Sequence, residues 1–427
     1  MVAQLWIALI APALPPSGLS LVDSASVIAV HDATPVRPRY RDASLVNLMA
    51  SIEGGMGVRN GAVAAGHAPL SILPPSRIQS ARRVVLLVID GLGDAYLATH
   101  GRDTAFAQHR IGRITSVFPS TTATAITTFL TGCSPREHGL TGWNIWLEEI
   151  ARVATILPFR TRGDRQFLRE LGVNPLRFFE QPVPFSARLA STASTVSPRW
   201  IIDSDYNLAH NGPSLRFPYQ TRDQFFDQIA SAVKATDDRQ FIYAYYPEID
   251  SNSHDHGTHS LEVAAELWRF DQGFRALLKR LAGTDTLVLV TADHGFIDVP
   301  EAQALDIDRY PDIVSALAHP LCGERRSAYA YVKPGSSPQF ERAVVDQLGH
   351  ALDLVPAEQA VTDGWFGEAC GRDHPRFTRR IGDYLLMMKP GWTIKDWVEG
   401  ENRHRLIGVH GGTTEAEMWV PLIAVEC

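Results

Sequence analysis

Three apolar runs of the chain each end in an acidic residue. They are Val84 to Ile89 before Asp90, the run from Phe241 into Asp250, and the run from Leu287 into Asp293. Such runs are typical of central strands in a parallel sheet, because both faces of those strands are buried. The segment between the last two runs, SLEVAAELWRFDQGFRALLKRLAG, has a helical pattern with basic residues in its last turn. This order predicts an α/β fold with a doubly wound, mostly parallel sheet.

The rest of the chain fits the sheet less well and indicates how the protein is organised. Residues 1–80 are predicted to be an N-terminal arm and lead-in, followed by an α/β catalytic core over residues 81–300. Residues 143–220 are rich in proline, aromatic residues and arginine, which predicts an insertion of the core that lies over the site. Residues 301–405 mix short helices and strands and are predicted to form a smaller cap lobe, and residues 406–427 return to the core.

The overall composition disfavours some classes of protein. The 427 residues are 45% hydrophobic and 20% charged, with a formal net charge of −7, so a phosphate-binding surface for nucleic acid is not expected. The N-terminal segment is apolar but lacks a basic start, and Pro12, Pro15 and Pro16 interrupt it too early for a membrane span. We expect a soluble, cytoplasmic protein, with export through a non-standard signal as the alternative. No oligomeric state follows from the sequence.

The cysteines give a weaker indication of the compartment. Cys133, Cys322, Cys370 and Cys427 are scattered and show no CxxC spacing. They are predicted to be reduced or buried thiols, and a Cys322–Cys370 disulfide is the alternative that export would favour.

Side chains that commonly bind metals follow the predicted strands. They are three carboxylates and three histidines: Asp90, Asp250, Asp293, His254, His294 and His410. Each alone has an ordinary interpretation, as a turn residue, part of a polar loop or a structural histidine. The carboxyl ends of neighbouring parallel strands meet at one edge of a sheet, however, and carboxylates gathered there are costly without a cation. The set therefore predicts two divalent cations, with zinc expected and manganese or iron as alternatives.

A hydroxyl-rich run, TSVFPSTTATAITTFLTG at residues 115–132, contains no charged residue. It could cap a helix, or it could hold a nucleophile. No histidine within the run can serve as a base, but coordination of a threonine hydroxyl to a divalent cation lowers the pKa of that hydroxyl. The N-terminus of the apolar helix that follows would also favour phosphate. The run is therefore predicted to contain a metal-activated nucleophile.

Five segments, in order, make the chain resemble the alkaline phosphatase superfamily, most closely its nucleotide pyrophosphatase/phosphodiesterase branch. The segments are VVLLVIDGL, FPSTTATAITTFLTGCSPREHG, YPEIDSNSHDHG, TADHG and HGGTTEAEMWVPL, and they span residues 84–422. The resemblance implies an alkaline phosphatase-like fold with a smaller cap lobe. It also implies two metal sites, one held by Asp90, Asp293, His294 and the nucleophile Thr122, and one held by Asp250, His254 and His410.

The resemblance also implies the position of the nucleophile within the hydroxyl-rich run. The family's Phe-Pro and Thr-Gly landmarks match residues 118–119 and 131–132 with equal spacing. This register implies that the nucleophile is Thr122, and Thr121 is the alternative.

One position departs from the family pattern. Many relatives have an asparagine three residues after the nucleophile that binds a phosphate oxygen, but this chain has Ala125 there. Asn144 and the hydroxyl of Thr124 are the candidate substitutes for that substrate-binding role.

Together, the metal set and the resemblance predict a two-metal phosphoric ester hydrolase. Its threonine would displace a leaving group in line at phosphorus and form a covalent phospho- or nucleotidyl-threonine that water then hydrolyses. Monoesterases commonly place an arginine or lysine against the dianionic phosphate, and no basic residue adjoins Thr122, which favours phosphodiesters and pyrophosphates. Basic residues from the insertion or cap could still fold over the site: Arg160, Arg162, Arg165, Arg325 and Arg326. The expected partner is a small-molecule phosphate ester or nucleotide.

Other activities fit the same residues. A phosphomonoesterase, a phosphonate hydrolase or a phosphomutase would use the same two-metal core. The CSPRE segment at Cys133 resembles a sulfatase motif but follows the predicted nucleophile helix. The non-enzymatic alternative is an inactive metal- or phosphate-binding relative, which the complete set of ligands and Thr122 disfavours.

Overall fold

The three apolar runs form neighbouring strands at the centre of a seven-stranded sheet. The computed structural model describes residues 34–369, 371–401 and 403–427. Its strands, in chain order, are β1 (Arg83–Ile89), β2 (Arg110–Thr115), β3 (Asn144–Leu147), β4 (Arg152–Thr155), β5 (Arg160–Thr161), β6 (Thr192–Pro198), β7 (Leu215–Tyr219), β8 (Gln240–Tyr246), β9 (Thr286–Thr291), β10 (Ile297–Asp298), β11 (Ala304–Asp306), β12 (Cys322–Gly323), β13 (Ser327–Ala330), β14 (Leu352–Pro356), β15 (Tyr384–Met388), β16 (Thr393–Lys395), β17 (Gly408–Val409) and β18 (Trp419–Glu426). Every residue of β1, β8 and β9 is buried, as expected for strands covered on both faces.

Helices connect many of these strands. In chain order they are α1 (Leu45–Met56), α2 (Pro75–Gln79), α3 (Asp94–His100), α4 (Ala105–Gln108), α5 (Thr122–Thr131), α6 (Pro135–His138), α7 (Pro175–Phe178), α8 (Phe185–Arg188), α9 (Asp205–His210), α10 (Arg222–Val233), α11 (Glu248–His256), α12 (Leu261–Leu281), α13 (Pro311–Ala316), α14 (Ser337–Leu348), α15 (Ala357–Thr362) and α16 (Glu415–Met418), with short 3-10 helices at Leu168–Leu171, Glu301–Gln303, Ile307–Arg309 and Thr378–Arg380. The predicted helix is α12, which begins where the Ser260 hydroxyl accepts a hydrogen bond from the Val263 amide. Its buried residues, including Leu267, Phe270 and Phe274, recur every three or four positions and pack into the main core.

The central sheet has the strand order β2-β18-β9-β1-β8-β6-β7. β1 pairs in parallel with β8 and β9, so that Val85 lies opposite Ile242 on one side and Val288 on the other. β18 is antiparallel to both of its neighbours, β2 and β9. The predicted α/β fold with a doubly wound, mostly parallel sheet is confirmed.

Two strands of the central sheet come from residues that were predicted to belong to the insertion. β6 pairs in parallel with β8, and β7 extends the sheet beyond β6. Their sequences, TASTVSP and LRFPY, contain small hydroxyl residues or proline and lack the apolar pattern of a buried strand. Residues 192–198 and 215–219 are therefore part of the sheet rather than of a segment lying over it.

A second seven-stranded sheet has the order β14-β15-β13-β12-β3-β4-β5, and its paired strands are antiparallel. It joins residues 144–161 of the predicted insertion to residues 322–388 of the predicted cap lobe. α13 and α14 pack against it around an apolar cluster that includes Ile313, Phe340 and Leu386. The boundaries assigned to core, cap lobe and return segment stay a prediction.

The N-terminal part of the chain is described from residue 34 onward. The apolar arm predicted before it lies outside the described residues, as does Cys370 of the alternative disulfide. In the lead-in, α1 is buried in the main core and contacts α5. The described helices include none that is both long enough and apolar enough to cross a membrane. A cytoplasmic rather than exported protein stays a prediction, and so does the lack of a nucleic-acid surface.

Candidate active site

The predicted metal-binding residues meet at one edge of the central sheet, beyond the carboxyl ends of its parallel strands. Asp90 directly follows β1, and Asp293 and His294 follow β9 after one intervening alanine. α11 begins just after β8 and carries Asp250 and His254 one helical turn apart. The strand order places these three segments side by side, since β1 lies between β8 and β9.

His410 reaches the same edge from a distant part of the chain. It follows β17, which forms an antiparallel ladder with β10, so that Val409 lies opposite Ile297. β10 begins three residues after His294. The ladder therefore brings His410 beside the residues that follow β9.

A buried ion pair fixes the turn that follows His410. Arg326 Nε and Nη2 lie 3.0 and 2.9 Å from the two carboxylate oxygens of Glu417, and both side chains are fully buried. Glu417 also accepts hydrogen bonds from the Gly412 amide over 2.8 Å and from the Thr414 hydroxyl over 2.7 Å. Arg326 was a candidate for contacting phosphate, but its guanidinium is buried and already forms an ion pair with Glu417.

Asp90, Asp293 and His294 form a first group, whose potential ligand atoms lie within 4.8 Å of one another. His294 Nε2 is 3.3 Å from Asp90 Oδ1 and 3.4 Å from Asp293 Oδ2. All three residues are buried. The structure thus brings together the three side chains that the resemblance implied for one metal.

Asp250 and His410 form a second group with His294, again with ligand atoms within 4.8 Å. The Nε2 atoms of His410 and His294 lie 3.8 and 3.9 Å from Asp250 Oδ1. His254, which the resemblance implied for this group, lies beside it with Nε2 3.5 Å from the same oxygen. Because His294 belongs to both groups, the six predicted ligands other than Thr122 form one continuous cluster of side chains.

The carboxylates of this cluster have the properties of cation ligands. Asp90 Oδ1, Asp250 Oδ1 and Asp293 Oδ2 are buried and have no hydrogen-bond partner among the described residues. Burial, followed by the charges of Asp250 and Asp293, raises the pKa of Asp90 well above its usual range. Burial likewise raises the pKa of Asp250. Divalent cations would neutralise these charges and use the free oxygens, so the residues present fit such ions.

The histidines present their Nε2 atoms to the cluster. Each Nδ1 lies between 2.9 and 3.2 Å from a backbone oxygen: His254 from that of Gly408, His294 from that of Gly295, and His410 from that of Ser120. Because a carbonyl oxygen can only accept a hydrogen bond, Nδ1 carries the proton and Nε2 keeps a free lone pair. Burial, together with His294 and His254, lowers the pKa of His410 well below its usual range. A neutral imidazole is the form that binds metals.

A cavity of about 360 Å³ opens onto the cluster. One end is lined by the cluster and the hydroxyl-rich run, with Thr121, Thr122, Asp250, His254 and His410. The remainder is lined by the second sheet and neighbouring segments, among them Asn144, Arg162, Glu324, Arg325 and Lys395. The volume is that of a small-molecule site, and its polar wall combines strands of the second sheet with β16 and the segments beside them.

Among the candidate threonines, Thr122 reaches the cluster. It is the first residue of α5, and its Oγ1 lies 3.2 Å from His294 Nε2. The Thr121 hydroxyl instead donates to Glu324 Oε1 over 2.7 Å. Thr124 is fully buried, two positions further round the helix, and does not line the cavity. Thr122 is therefore the candidate nucleophile nearest the cluster. Asn144 lines the cavity and Thr124 does not, and the substrate-binding role of either residue stays a prediction.

The five arginines considered as phosphate ligands have different positions. Arg160 lies 3.9 Å from the centroid of a phenylalanine ring, and Arg165 is exposed. Arg162 and Arg325 line the cavity, although two carboxylates already bind Arg162. The fifth, Arg326, is buried and forms the ion pair with Glu417. In the described structure, none of the five donates a hydrogen bond to the hydroxyl at the start of α5.

Tyr245 is a residue of the site that was not predicted from the sequence. It is buried on β8, opposite Val88 of β1, and its hydroxyl donates a hydrogen bond to Asp90 Oδ2. The available signal was a tyrosine near the carboxyl end of a strand adjacent to the one that precedes Asp90. Such a hydrogen bond orients a carboxylate towards a metal.

We expect Tyr245→Phe to weaken metal binding by about 10- to 100-fold, because it removes this orienting bond and leaves every ligand in place. Affinity would be measured by competition with a chelating indicator. Tyr243→Phe is the matched control, since the Tyr243 hydroxyl is also buried on β8 but has no hydrogen-bond partner among the described residues. Equal metal affinity of Tyr245→Phe and the unmodified protein would contradict the assigned role.

Comparisons with known proteins identify the family of the chain. Residues 84–413 match the family model of type I phosphodiesterase / nucleotide pyrophosphatase. Human ectonucleotide pyrophosphatase/phosphodiesterase family member 5 is 21% identical over 356 residues, which cover 81% of this chain and 69% of that protein.

Solved structures show the same fold. Murine ectonucleotide pyrophosphatase / phosphodiesterase 5 has a TM-score of 0.60 at 19% identity and covers 80% of this chain and 87% of its own. Phosphonoacetate hydrolase from Sinorhizobium meliloti 1021 has a TM-score of 0.57 at 15% identity, covering 81% and 90%. The fold is the alkaline phosphatase-like fold that the resemblance implied. The chain belongs to the type I phosphodiesterase / nucleotide pyrophosphatase family, within the alkaline phosphatase superfamily.

Proposed function

We propose that this protein is a metal-dependent hydrolase that cleaves phosphodiester or pyrophosphate bonds in small-molecule phosphate esters or nucleotides. The position of Thr122 carries the proposal, because its hydroxyl lies 3.2 Å from His294, which belongs to both potential ligand groups. Membership of the family supports this class of reaction. An inactive variant of the murine relative has been solved in complex with AMP, which supports a nucleotide as a ligand here.

The cluster would hold two divalent cations. One would be bound by Asp90, Asp293, His294 and Thr122, and the other by Asp250, His254 and His410. Carboxylate and imidazole donors suit zinc, and also manganese or iron. When bound, the cations supply Lewis-acid stabilisation of negative charge and lower the pKa of the threonine hydroxyl.

Side chains of this chain would then carry two successive displacements. Thr122 Oγ1 attacks phosphorus, the bond to the leaving oxygen breaks on the opposite side, and a phospho- or nucleotidyl-threonine forms. Water next attacks phosphorus, the bond to Thr122 Oγ1 breaks, and the threonine hydroxyl is restored. The N-terminus of α5 would favour the phosphate oxygens, and Asn144, which lines the cavity, would donate a hydrogen bond to one of them.

The surroundings of the nucleophile favour a diester over a monoester. Glu324 Oε1 accepts hydrogen bonds from the hydroxyl of Thr121 and the amide of Trp143, both over 2.7 Å. A carboxylate beside the nucleophile disfavours a doubly charged terminal phosphate more than the singly charged phosphate of a diester. Burial raises the pKa of Glu324 to about 7, so this discrimination should increase as the pH rises above 7.

The experiment is a comparison of kcat/KM on the zinc-loaded protein for an aryl phosphate monoester, the matching aryl phosphodiester and an aryl nucleotide ester. We expect the diester or the nucleotide ester to exceed the monoester by at least about tenfold. A faster monoester would contradict the proposal. Phosphonoacetate would be included because the chain shares its fold with phosphonoacetate hydrolase. If phosphonoacetate were cleaved faster than the esters, the proposed function would be phosphonate hydrolysis instead.

A further inference from the structure

Two half-buried cations lie in the cavity wall formed by the second sheet and neighbouring segments. Arg325 and Lys395 both line the cavity and both face the ring of Trp397, with Arg325 Cζ 5.9 Å and Lys395 Nζ 4.2 Å from the ring centroid. Within the part of the chain that the structure describes, the Arg325 guanidinium donates one hydrogen bond, a long one of 3.5 Å to the backbone oxygen of His404. Among the described residues, no carboxylate lies within 4.0 Å of it. Its other donors are therefore available to a ligand.

The neighbouring Arg162 shows what a fully paired guanidinium looks like in this cavity. Its Nη2 lies 2.7 Å from Asp396 Oδ1, its Nε lies 2.7 Å from Glu401 Oε1, and its side chain is only 4% exposed. Lys395 also pairs with Glu401, but over a longer distance, with Nζ 3.4 Å from Glu401 Oε2. Asp396 and Glu401 therefore pair with Arg162 and Lys395. Arg325 has no carboxylate within ion-pair distance among the described residues.

The charge of the neighbouring Glu324 acts to raise the pKa of Arg325, but among the described residues the two side chains form no ion pair within 4.0 Å. Glu324 is engaged at the other end of the cavity by Thr121 and Trp143. Burial lowers the pKa of Arg325, and burial together with Arg325 lowers the pKa of Lys395 to about 8. An anion bound between the two cations would offset both the desolvation and the mutual repulsion.

We propose that Arg325 and Lys395 form a second anion subsite of this cavity, and that the substrate carries a phosphate or carboxylate group remote from the phosphorus attacked by Thr122. This inference rests on the proposed function, because that function places the reactive phosphorus at the Thr122 end. The subsite selects for a negative charge, and Arg325 provides the planar, multi-donor guanidinium that suits either oxyanion.

The test uses three aryl phosphodiesters whose second ester chains have equal length and end in a hydroxyl, a carboxylate or a phosphate. We expect kcat/KM of the unmodified protein to be at least about tenfold higher for one or both anionic esters than for the hydroxyl ester. Arg325→Met and Lys395→Met should lower that ratio by about 10- to 100-fold. Comparison of the carboxylate ester with the phosphate ester shows which oxyanion the subsite prefers. Unchanged hydrolysis of the hydroxyl ester and unchanged metal content would show that each variant is folded.

Arg403→Met is the matched control. Arg403 also faces Trp397, with Cζ 5.6 Å from the ring centroid, but it is exposed and does not line the cavity. Its substitution removes the same charge and should leave the ratio unchanged. Equal hydrolysis of all three esters by the unmodified protein would overturn the subsite and leave the proposed function standing. The same would follow if Arg403→Met lowered the ratio as much as Arg325→Met or Lys395→Met. Failure to hydrolyse any of the esters would overturn the proposed function itself.

Discussion

Replacement of Thr122 by alanine is expected to lower kcat for an aryl phosphodiester by at least about 1000-fold. The substitution removes the oxygen that would bond to phosphorus, while the carboxylates and imidazoles of the cluster remain. Two metal ions per chain should therefore still be bound, as elemental analysis of the purified variant would show. The rate would be measured at saturating substrate, so that the change reports the bound complex rather than substrate affinity.

Thr121→Ala is the matched control for this variant, because it removes a hydroxyl one position earlier. That hydroxyl bonds to Glu324 rather than to the cluster, so we expect kcat to fall by less than about tenfold. An active Thr122→Ala protein alongside an inactive Thr121→Ala protein would move the nucleophile to Thr121.

Removal of the metals is expected to reduce turnover of the same diester to less than about one thousandth, and added zinc should restore it. Without cations, the hydroxyl of Thr122 keeps its proton. Asp90 Oδ1, Asp250 Oδ1 and Asp293 Oδ2 are then left without a hydrogen-bond partner among the described residues. The rate and the metal content would be measured after dialysis against a chelator and again after zinc is added. The melting temperature should fall and recover in parallel, because ions that bind only the folded chain stabilise it.

The chelated Thr122→Ala protein provides the control for this experiment. Zinc should restore its metal content and its melting temperature without restoring turnover, which separates binding of the ions from the chemical step. Full turnover by the unmodified protein after all metal has been removed would contradict a metal-dependent reaction.

The central strands and their acidic ends could be predicted because burial on both faces demands apolar residues at every position. In β1, β8 and β9 polar residues occur only at the strand ends, so the carboxyl edge of the sheet could be located from the sequence. β6 and β7 could not be recognised in this way, since their small, hydroxyl-bearing or proline-containing sequences do not differ from those of loops. β6 belongs to the sheet because it pairs with β8, and β7 because it pairs with β6, and such pairing cannot be read from a local sequence pattern.

The ligands of the cluster could be predicted for the same reason, but the cavity wall could not. Asp90 directly follows β1, and His294 lies three residues after β9. Arg325 and Lys395 instead reach the cavity from segments that are distant in sequence. The sequence likewise could not distinguish an arginine that is free to bind a ligand from one, such as Arg326, that is buried against a carboxylate. These distinctions depend on tertiary contacts.

The most direct test of the central claim is to trap the covalent intermediate. The zinc-loaded protein would be mixed with excess aryl phosphodiester, quenched with acid within one turnover, digested and analysed by mass spectrometry. We predict one modified peptide that contains residues 115–132, with fragmentation placing the phosphoryl ester on Thr122. A modification on any other residue, or product release without a modified peptide, would contradict the mechanism.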